Sequence, residues 1–273
     1  MSIDLHLHTT FSDGLLTPEQ LVREALKRNL EAIAITDHDT IDGVPLALKE
    51  AKKYRNMEVI PGIELSTELD KQEIHILGYY IDFLDVELRK TLFQLQEKRK
   101  MRIIKIVNKL KSIGIEISIK EVEHAASGPS IGRPHVAKVL IEKGYVDTIE
   151  EAFKTYLGKG KLAYVPRAKL TPFNAIDIIN KNRGIPVLAH PGLLNNQNII
   201  KDLISYGIRG IEIYHKNHSP AQTIYFSQLA LSNNLLLTGG SDCHGEKPLL
   251  LGSLDVPRKY YEELKKSRYM HTT

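Results

Sequence analysis

The sequence predicts an α/β fold on a parallel sheet, closed as one β/α barrel, and three observations predict it. The 273 residues lie near the ~250 typical of such a barrel. Short apolar runs alternate with helical stretches across short connections, as parallel sheets require. Metal-competent side chains recur at the carboxyl ends of those runs, where closed barrels assemble their active sites.

Taken in order, Ile3, Leu5 and Leu7 share one face of the first strand while Asp4, His6 and His8 share the other, since strand side chains alternate. The two imidazoles then stand about 6.6 Å apart, which suits two cis ligands on one ion. Taken alone, the pair also reads as a strand that exposes two histidines. Asp13 follows. Thr17-Pro18-Glu19-Gln20 starts a helix, with Thr17 as N-cap and Gln20 closing a capping box. Residues 32–36 form a short apolar strand ending at Asp37-His38-Asp39, and residues 59–63 form another ending at Glu64. Residues 74–81 follow, with His75 near their start.

After an interruption the grammar resumes. Thr171-Pro172 caps a helix, and the strand at 185–189 ends in His190-Pro191. A helix at 199–206 leads to a strand at 210–214 that ends in His215. Ser219-Pro220 starts another helix, and the strand at 235–238 leads through Gly239-Gly240 to Ser241-Asp242-Cys243-His244. Residues 260–273 read as a short helix and a frayed tail, and neither His124 nor His271 has a neighbouring pattern that assigns it a role.

Composition narrows the class. Hydrophobic content of 42% with 26% charged residues describes a globular chain without the bias of disorder. No apolar run of about 18 residues and no basic-then-apolar leader occurs, so neither a membrane span nor a secretory signal is expected, and the cytoplasm is the expected location. Cys243 is the sole cysteine, which excludes an intrachain disulfide framework and fits a reducing compartment. A net charge of +4 names no partner by itself, and no obligate protein partner is expected.

His6-x-His8, Asp13, Thr36-Asp37-His38-Asp39, Glu64, His75, His190-Pro191 and Ser241-Asp242-x-His244 resemble the signature of the polymerase-and-histidinol-phosphatase (PHP) family of phosphoesterases. The resemblance covers almost the whole chain, with its motifs in order. It implies a distorted seven-stranded β/α barrel holding up to three divalent ions, a strand number that periodicity alone does not supply. It also implies three coordination groups: His6, His8, Glu64 and Asp242 on one ion, Glu64 shared with His75 and His190 on a second, and Asp13, His38 and His244 on a third. All nine positions carry metal-competent residues, which argues against a degenerate member.

Imidazole and carboxylate suit manganese, iron or zinc rather than soft-ligand metals, and manganese is expected. Cys243, between two implied ligands, points away from both and reads as packing. Three divalent ions carry about +6 against −3 from the carboxylates, an excess that an anionic substrate and a hydroxide would balance. A phosphate ester fits, attacked in line by a hydroxide bridging the first two ions while the third binds the departing or non-bridging oxygens.

The interruption, residues 86–166, is expected to be a helical cap inserted into a barrel formed by 1–85 and 167–273. Residues 89–111 carry apolar side chains at helical spacing and a strong basic excess, read either as a solvated helix face or as a guide for a polyanion. Helices are also expected at 134–143 and 149–156, and no strong strand is seen. Arg133 before Pro134 and His135 marks a helix start that can hold a phosphate, or simply an N-terminal turn. With Tyr156-Leu157-Gly158-Lys159-Gly160 and Tyr164-Val165-Pro166, this stretch resembles the PHP subgroup of 3′,5′-nucleoside bisphosphate phosphatases and enzymes that trim short RNA from the 5′ end. The resemblance implies that Arg133 and His135 grip the second phosphate, while the extra Lys159 and Lys161 bear on substrate length. His215 can contact phosphate or protonate the leaving oxygen; His218 can do so or can cap the helix at Ser219.

The expected activity is therefore metal-dependent release of phosphate from a nucleoside 3′,5′-bisphosphate, such as adenosine 3′,5′-bisphosphate to AMP, with 5′-to-3′ action on short oligonucleotides. The alternatives are a histidinol-phosphate-type monoester phosphatase, an amidohydrolase, whose barrels also open with H-x-H, and a nucleic-acid-binding accessory module using the basic cap. The further metal group at Asp13 and His38 weighs against the amidohydrolase, and the complete ligand set against the accessory module.

Overall fold

The computed structural model describes residues 2–126, 128–166 and 170–268. Seven strands form one mixed sheet in chain order: β1 (Ser2–Leu7), β2 (Leu30–Ile35), β3 (Glu58–Leu69), β4 (Gln72–Tyr79), β5 (Ile185–Leu188), β6 (Gly210–Tyr214) and β7 (Leu236–Gly239). The two edge strands are brought together past β7 by a parallel bridge between Leu7 and Cys243, where the His8 N–H donates to the Cys243 carbonyl at 3.1 Å. The result is a distorted seven-stranded β/α barrel. Gly240 sits where a Cβ would run into the His6 backbone, so only glycine lets the chain after β7 pack this closely on β1.

The all-parallel expectation fails at one strand. β4 runs antiparallel to both β3 and β5, while the other neighbours are parallel. The cause is local: Asp70 and Lys71, at φ 49° and 64°, make a two-residue connection with both residues left-handed, the geometry of a hairpin turn matched to strand twist. An Asp-Lys pair lacks the usual Asn-Gly signal of such a turn. In consequence β3 extends well beyond Glu64, and His75 pairs with Ser66 across the hairpin.

Helices cover the sheet: α1 (Pro18–Lys27), α2 (Val44–Ala51), α7 (Pro172–Lys181), α8 (Ile199–Tyr206), α9 (Pro220–Ser232) and α10 (Arg258–Ser267). The expected capping box is present, with the Thr17 hydroxyl accepting from the Gln20 N–H at 3.2 Å and the Gln20 side chain accepting from the Thr17 N–H at 2.8 Å. The tail from 269 onward, including His271, lies outside the described residues.

Between β4 and α7 come α3 (Val86–Ser112), α4 (Ile119–Ala125), α5 (Arg133–Glu142) and α6 (Ile149–Ala152), the last continued by a π-helical turn over Phe153–Leu157. Their apolar side chains form a second buried cluster around Ile106, Leu110, Val122, Val136 and Leu140. At 27 residues α3 is about 40 Å long and serves both clusters: Leu88 and Leu92 pack with the barrel, Ile103 to Leu110 with the helices. Arg99, between the two sets, donates to the Ile131 carbonyl at 3.0 Å and pairs with Asp39 at the end of the β2 loop. That bond holds the helices over the barrel mouth.

Candidate active site

Five of the nine expected ligand residues converge on the carboxylate of a sixth. Glu64, buried on β3, has its Oε1 2.9 Å from His75 Nδ1 and 3.0 Å from His190 Nε2. Its Oε2 lies 2.9 Å from His38 Nδ1, 3.3 Å from His8 Nε2 and 3.4 Å from His6 Nε2. Asp242 Oδ1 closes on the same two rings, at 3.1 Å from His8 Nε2 and 3.5 Å from His6 Nε2. A second grouping sits beside the first, with Asp13 Oδ1 3.3 Å from His244 Nε2 and Asp13 Oδ2 3.9 Å from His38 Nε2. His8 spans the two, its Nδ1 lying 3.8 Å from Asp13.

The backbone accepts strain to present these groups. His190 and Asp242 adopt left-handed conformations, at φ 30° and 51°. Such residues are uncommon outside glycine and cost of order 1–3 kcal/mol unless their surroundings enforce them. Glu212 supplies part of that enforcement: one of its oxygens lies 3.0 Å from His6 Nδ1 and the other accepts the His190 N–H at 2.8 Å. Asp37 fixes the turn before Asp13 by accepting from the Thr9 N–H at 2.7 Å and from the Thr9 and Ser12 hydroxyls at 2.6 Å each.

The donors fit a divalent ion. His6 Nε2, His8 Nε2, His75 Nε2, His190 Nδ1, Asp13 Oδ1 and Glu64 Oε2 are buried with no hydrogen-bond partner. Buried polar atoms are ordinarily paired because desolvation otherwise costs about 1–3 kcal/mol each, so this concentration marks a place where a cation completes the bonding. Three sets of ligand atoms lie close enough to share an ion: His8, Asp13, His38 and His244; His6, His8 and Glu64; and His38, Glu64 and His75. No thiol joins them, because Cys243 is buried in the barrel core.

Charge in the cluster is uneven. Burial disfavours a proton on His244, yet the Asp13 and Asp242 carboxylates outweigh it and lift the ring to about 10. Burial, reinforced by His244 and His38, drives His8 down to about 3. Glu64, Asp13 and Asp242 are held well below the usual carboxylate range, the surrounding histidines prevailing over burial. The carboxylates thus stay ionised and demand positive charge.

A cleft of about 480 Å³, open to solvent, leads to this floor. Asp13, His38 and His75 line its barrel side, and Arg99, Arg102 and Arg133 line its helical side. Arg133 does not stand alone there. One terminal nitrogen donates to both Glu73 oxygens at 2.9 Å, the other to the Leu157 carbonyl at 3.3 Å, and the guanidinium lies over Phe153. His135 accepts from the Gly132 N–H at 2.9 Å, capping the start of its own helix, and burial lowers its pKa. His215 Nε2 lies 3.4 Å from Asp242 Oδ2, within the cluster. His218 has both ring nitrogens on backbone, Nδ1 to the Ile213 carbonyl at 2.9 Å and Nε2 accepting from the Gly192 N–H at 3.1 Å. It braces the turn after His190.

Sequence reasoning missed Glu212, Glu73 and Lys216, the last donating to the Asp242 carbonyl at 2.6 Å. Glu212 had a signal: a single carboxylate within a short strand whose other residues are apolar or aromatic, which a buried strand tolerates only with partners. Glu73 had none, since its partner Arg133 is 60 residues away.

The chain matches the PHP domain over residues 4–165. It is 37% identical over 251 residues to the 5′-3′ exoribonuclease Rnm of Salmonella typhimurium, covering 90% of this chain and 86% of that protein. It is 30% identical over 249 residues to the 3′,5′-nucleoside bisphosphate phosphatase of Chromobacterium violaceum, covering 89% and 87%. A Bifidobacterium adolescentis structure described as a metal-dependent phosphoesterase superposes with a TM-score of 0.89 at 28% identity, over 97% of this chain and 96% of the other.

Proposed function

The chain belongs to the PHP family of metal-dependent phosphoesterases, and from that premise we propose that it releases phosphate from nucleoside 3′,5′-bisphosphates and trims short 5′-phosphorylated oligonucleotides from the 5′ end. The observation that carries this reading is the set of unpartnered buried donors around Glu64 at the base of a cleft whose other wall is arginine-rich. The activities named for the two relatives support the choice of substrates.

In this reading His6, His8, Glu64 and Asp242 hold one divalent ion, Glu64 with His75 and His190 a second, and Asp13, His38 and His244 a third, with manganese the metal. When bound, such ions lower the pKa of coordinated water and offset charge on phosphoryl oxygens. The residues of the chain do the rest. Glu212 holds His6 by Nδ1 so that Nε2 faces the cluster, as outer partners of ligating histidines do. His215, beside Asp242, is placed to carry a proton for the departing oxygen. Arg133 reaches the second phosphate, with Glu73 keeping its guanidinium extended into the cleft until the phosphate competes for it. His135 fixes the helix start that presents Arg133, and His218 fixes the turn that presents His190.

Phosphate release from adenosine 3′,5′-bisphosphate in manganese tests the reading. The expected result is turnover that a chelator abolishes and manganese restores, with three ions per chain by elemental analysis. No release from the bisphosphate alongside brisk turnover of histidinol phosphate would sink it, and one or two ions per chain would reopen amidohydrolysis.

A further inference from the structure

α3 concentrates positive charge far beyond the chain's net of +4, with nine basic residues against two acidic ones. Four of the nine form a ridge. Lys98, Arg102, Lys105 and Lys109 fall at i, i+4, i+7 and i+11, which places them on one side of the helix over about 16 Å. The ridge begins at the cleft: Arg102 lines it together with Asp13 and His38, and shares with exposed Lys98 an adjoining hollow that also contains Ser66. Away from the cleft it is held against the chain at 164–165, where Arg102 Nε donates to the Val165 carbonyl at 2.8 Å and Lys109 Nζ to the Tyr164 carbonyl at 2.7 Å.

Lys98 and Lys105 are exposed and have no ion pair among the described residues, whereas Lys100, on another side of the same helix, is paired with Glu123 at 2.7 Å. The charge of Lys98 and Lys105 is therefore not consumed by the fold, whereas buried Arg102, 3.7 Å from Glu73, anchors the ridge to the cleft wall. A straight row of cations leading out of a cleft that handles phosphate matches a linear polyanion better than a compact one.

We propose that this ridge carries the sugar-phosphate backbone of a single-stranded RNA whose 5′ end occupies the cleft, so that chain length beyond the first nucleotides adds affinity. The proposal rests on the functional reading above and assigns to α3 the discrimination between an oligonucleotide and a bisphosphate mononucleotide. An acidic protein segment is the competing occupant, but nothing else about the ridge favours a peptide, and its continuity with the cleft favours the substrate itself.

The test is the double substitution Lys98→Ser with Lys105→Ser in the full chain, measured in two ways. Binding of a 5′-phosphorylated, 3′-fluorescein-labelled pentauridylate is followed by anisotropy across salt concentrations, and phosphate release is measured from adenosine 3′,5′-bisphosphate. The expected result is roughly tenfold weaker pentanucleotide binding, with a log–log salt slope shallower by about 1.4, since each single-strand phosphate contact contributes about 0.7. Bisphosphate turnover stays within about twofold, because neither lysine reaches the floor. Unchanged pentanucleotide affinity with intact bisphosphate turnover would overturn the ridge and leave the functional reading standing. Ridge-dependent binding in a protein that turns over neither substrate would do the reverse. Displacement by polyglutamate as readily as by polyuridylate would assign the ridge to acidic protein and overturn the proposal.

Discussion

The floor of the cleft and its helical wall are both crowded with charge, and they treat it in opposite ways. On the floor, buried histidine and carboxylate atoms are left without hydrogen-bond partners around Glu64 and Asp13. On the wall, Arg99 is bound to Asp39 and Ile131, and Arg133 to Glu73 and Leu157. Asp4 sharpens the contrast. It sits on the same strand as His6 and is equally buried, yet its oxygens accept from the Ser241 N–H and hydroxyl at 2.8 and 2.6 Å and from the Gly252 N–H at 2.9 Å. The fold can satisfy a buried carboxylate here when the carboxylate's task is structural. Where it does not, the missing charge has to arrive from outside, whereas the wall is organised before any substrate enters.

The largest expected effect attacks the floor at its common point. Glu64→Gln removes the carboxylate that five imidazoles approach, and phosphate release should fall by at least about 10³-fold, with fewer ions retained per chain and the thermal transition preserved. Full metal content with near-normal activity would show that Glu64 is as structural as Asp4.

Glu212→Gln probes the support of the floor rather than the floor itself. The amide can still meet His6 but no longer offers two carboxylate acceptors to His6 and the His190 N–H. Manganese affinity should drop about 10–100-fold, the usual cost of an outer partner, with activity recovering at high manganese. A loss that manganese does not rescue would place Glu212 outside metal binding.

Arg133→Ala moves to the wall. Because the guanidinium is presented by Glu73 and Phe153, its loss should weaken nucleoside bisphosphates about tenfold or more, the worth of a charge-assisted contact. Simple monophosphate esters should change by about twofold or less. Equal losses on both substrates would remove Arg133 from recognition of the second phosphate.

The same contrast explains what could be read from the sequence. His6 and Glu64 lie within strands and His8, His190 and Asp242 just beyond them, so their recurrence along successive apolar runs, rather than any one of them, was legible in the sequence, as was the α/β alternation. The wall was not. Arg133 was visible as a residue type, but its pairing with Glu73 depends on the antiparallel β3–β4 hairpin, itself hidden by an Asp-Lys turn that carries no conventional signal. His218 shows the limit from the other side, since the sequence left it open between a phosphate-facing group and a helix cap, and it is engaged by backbone at both nitrogens. Strand periodicity reports which face a residue occupies; it does not report which long-range partner is already there.

The smallest effect belongs to the helices behind the wall and separates their stability from the chemistry of the floor. Glu121 is held at about 2 by hydrogen bonds from Lys143 and Ser118, the first of which links α4 to α5. Its folded pKa lies below the ordinary 4.5, so the contribution is complete above about pH 4.5 and is lost as pH falls toward 2. Glu121→Gln should therefore lower the thermal midpoint slightly at pH 7, with the gap to the native protein closing as pH falls through that window. The gap should be the same with and without manganese, because no floor residue touches this pair. Metal affinity, by contrast, should fall with acid in both proteins as the imidazoles take up protons. A gap in midpoint that is constant with pH would mean that the pair contributes through packing rather than charge, and one that depends on manganese would mean that the helices and the floor are energetically coupled.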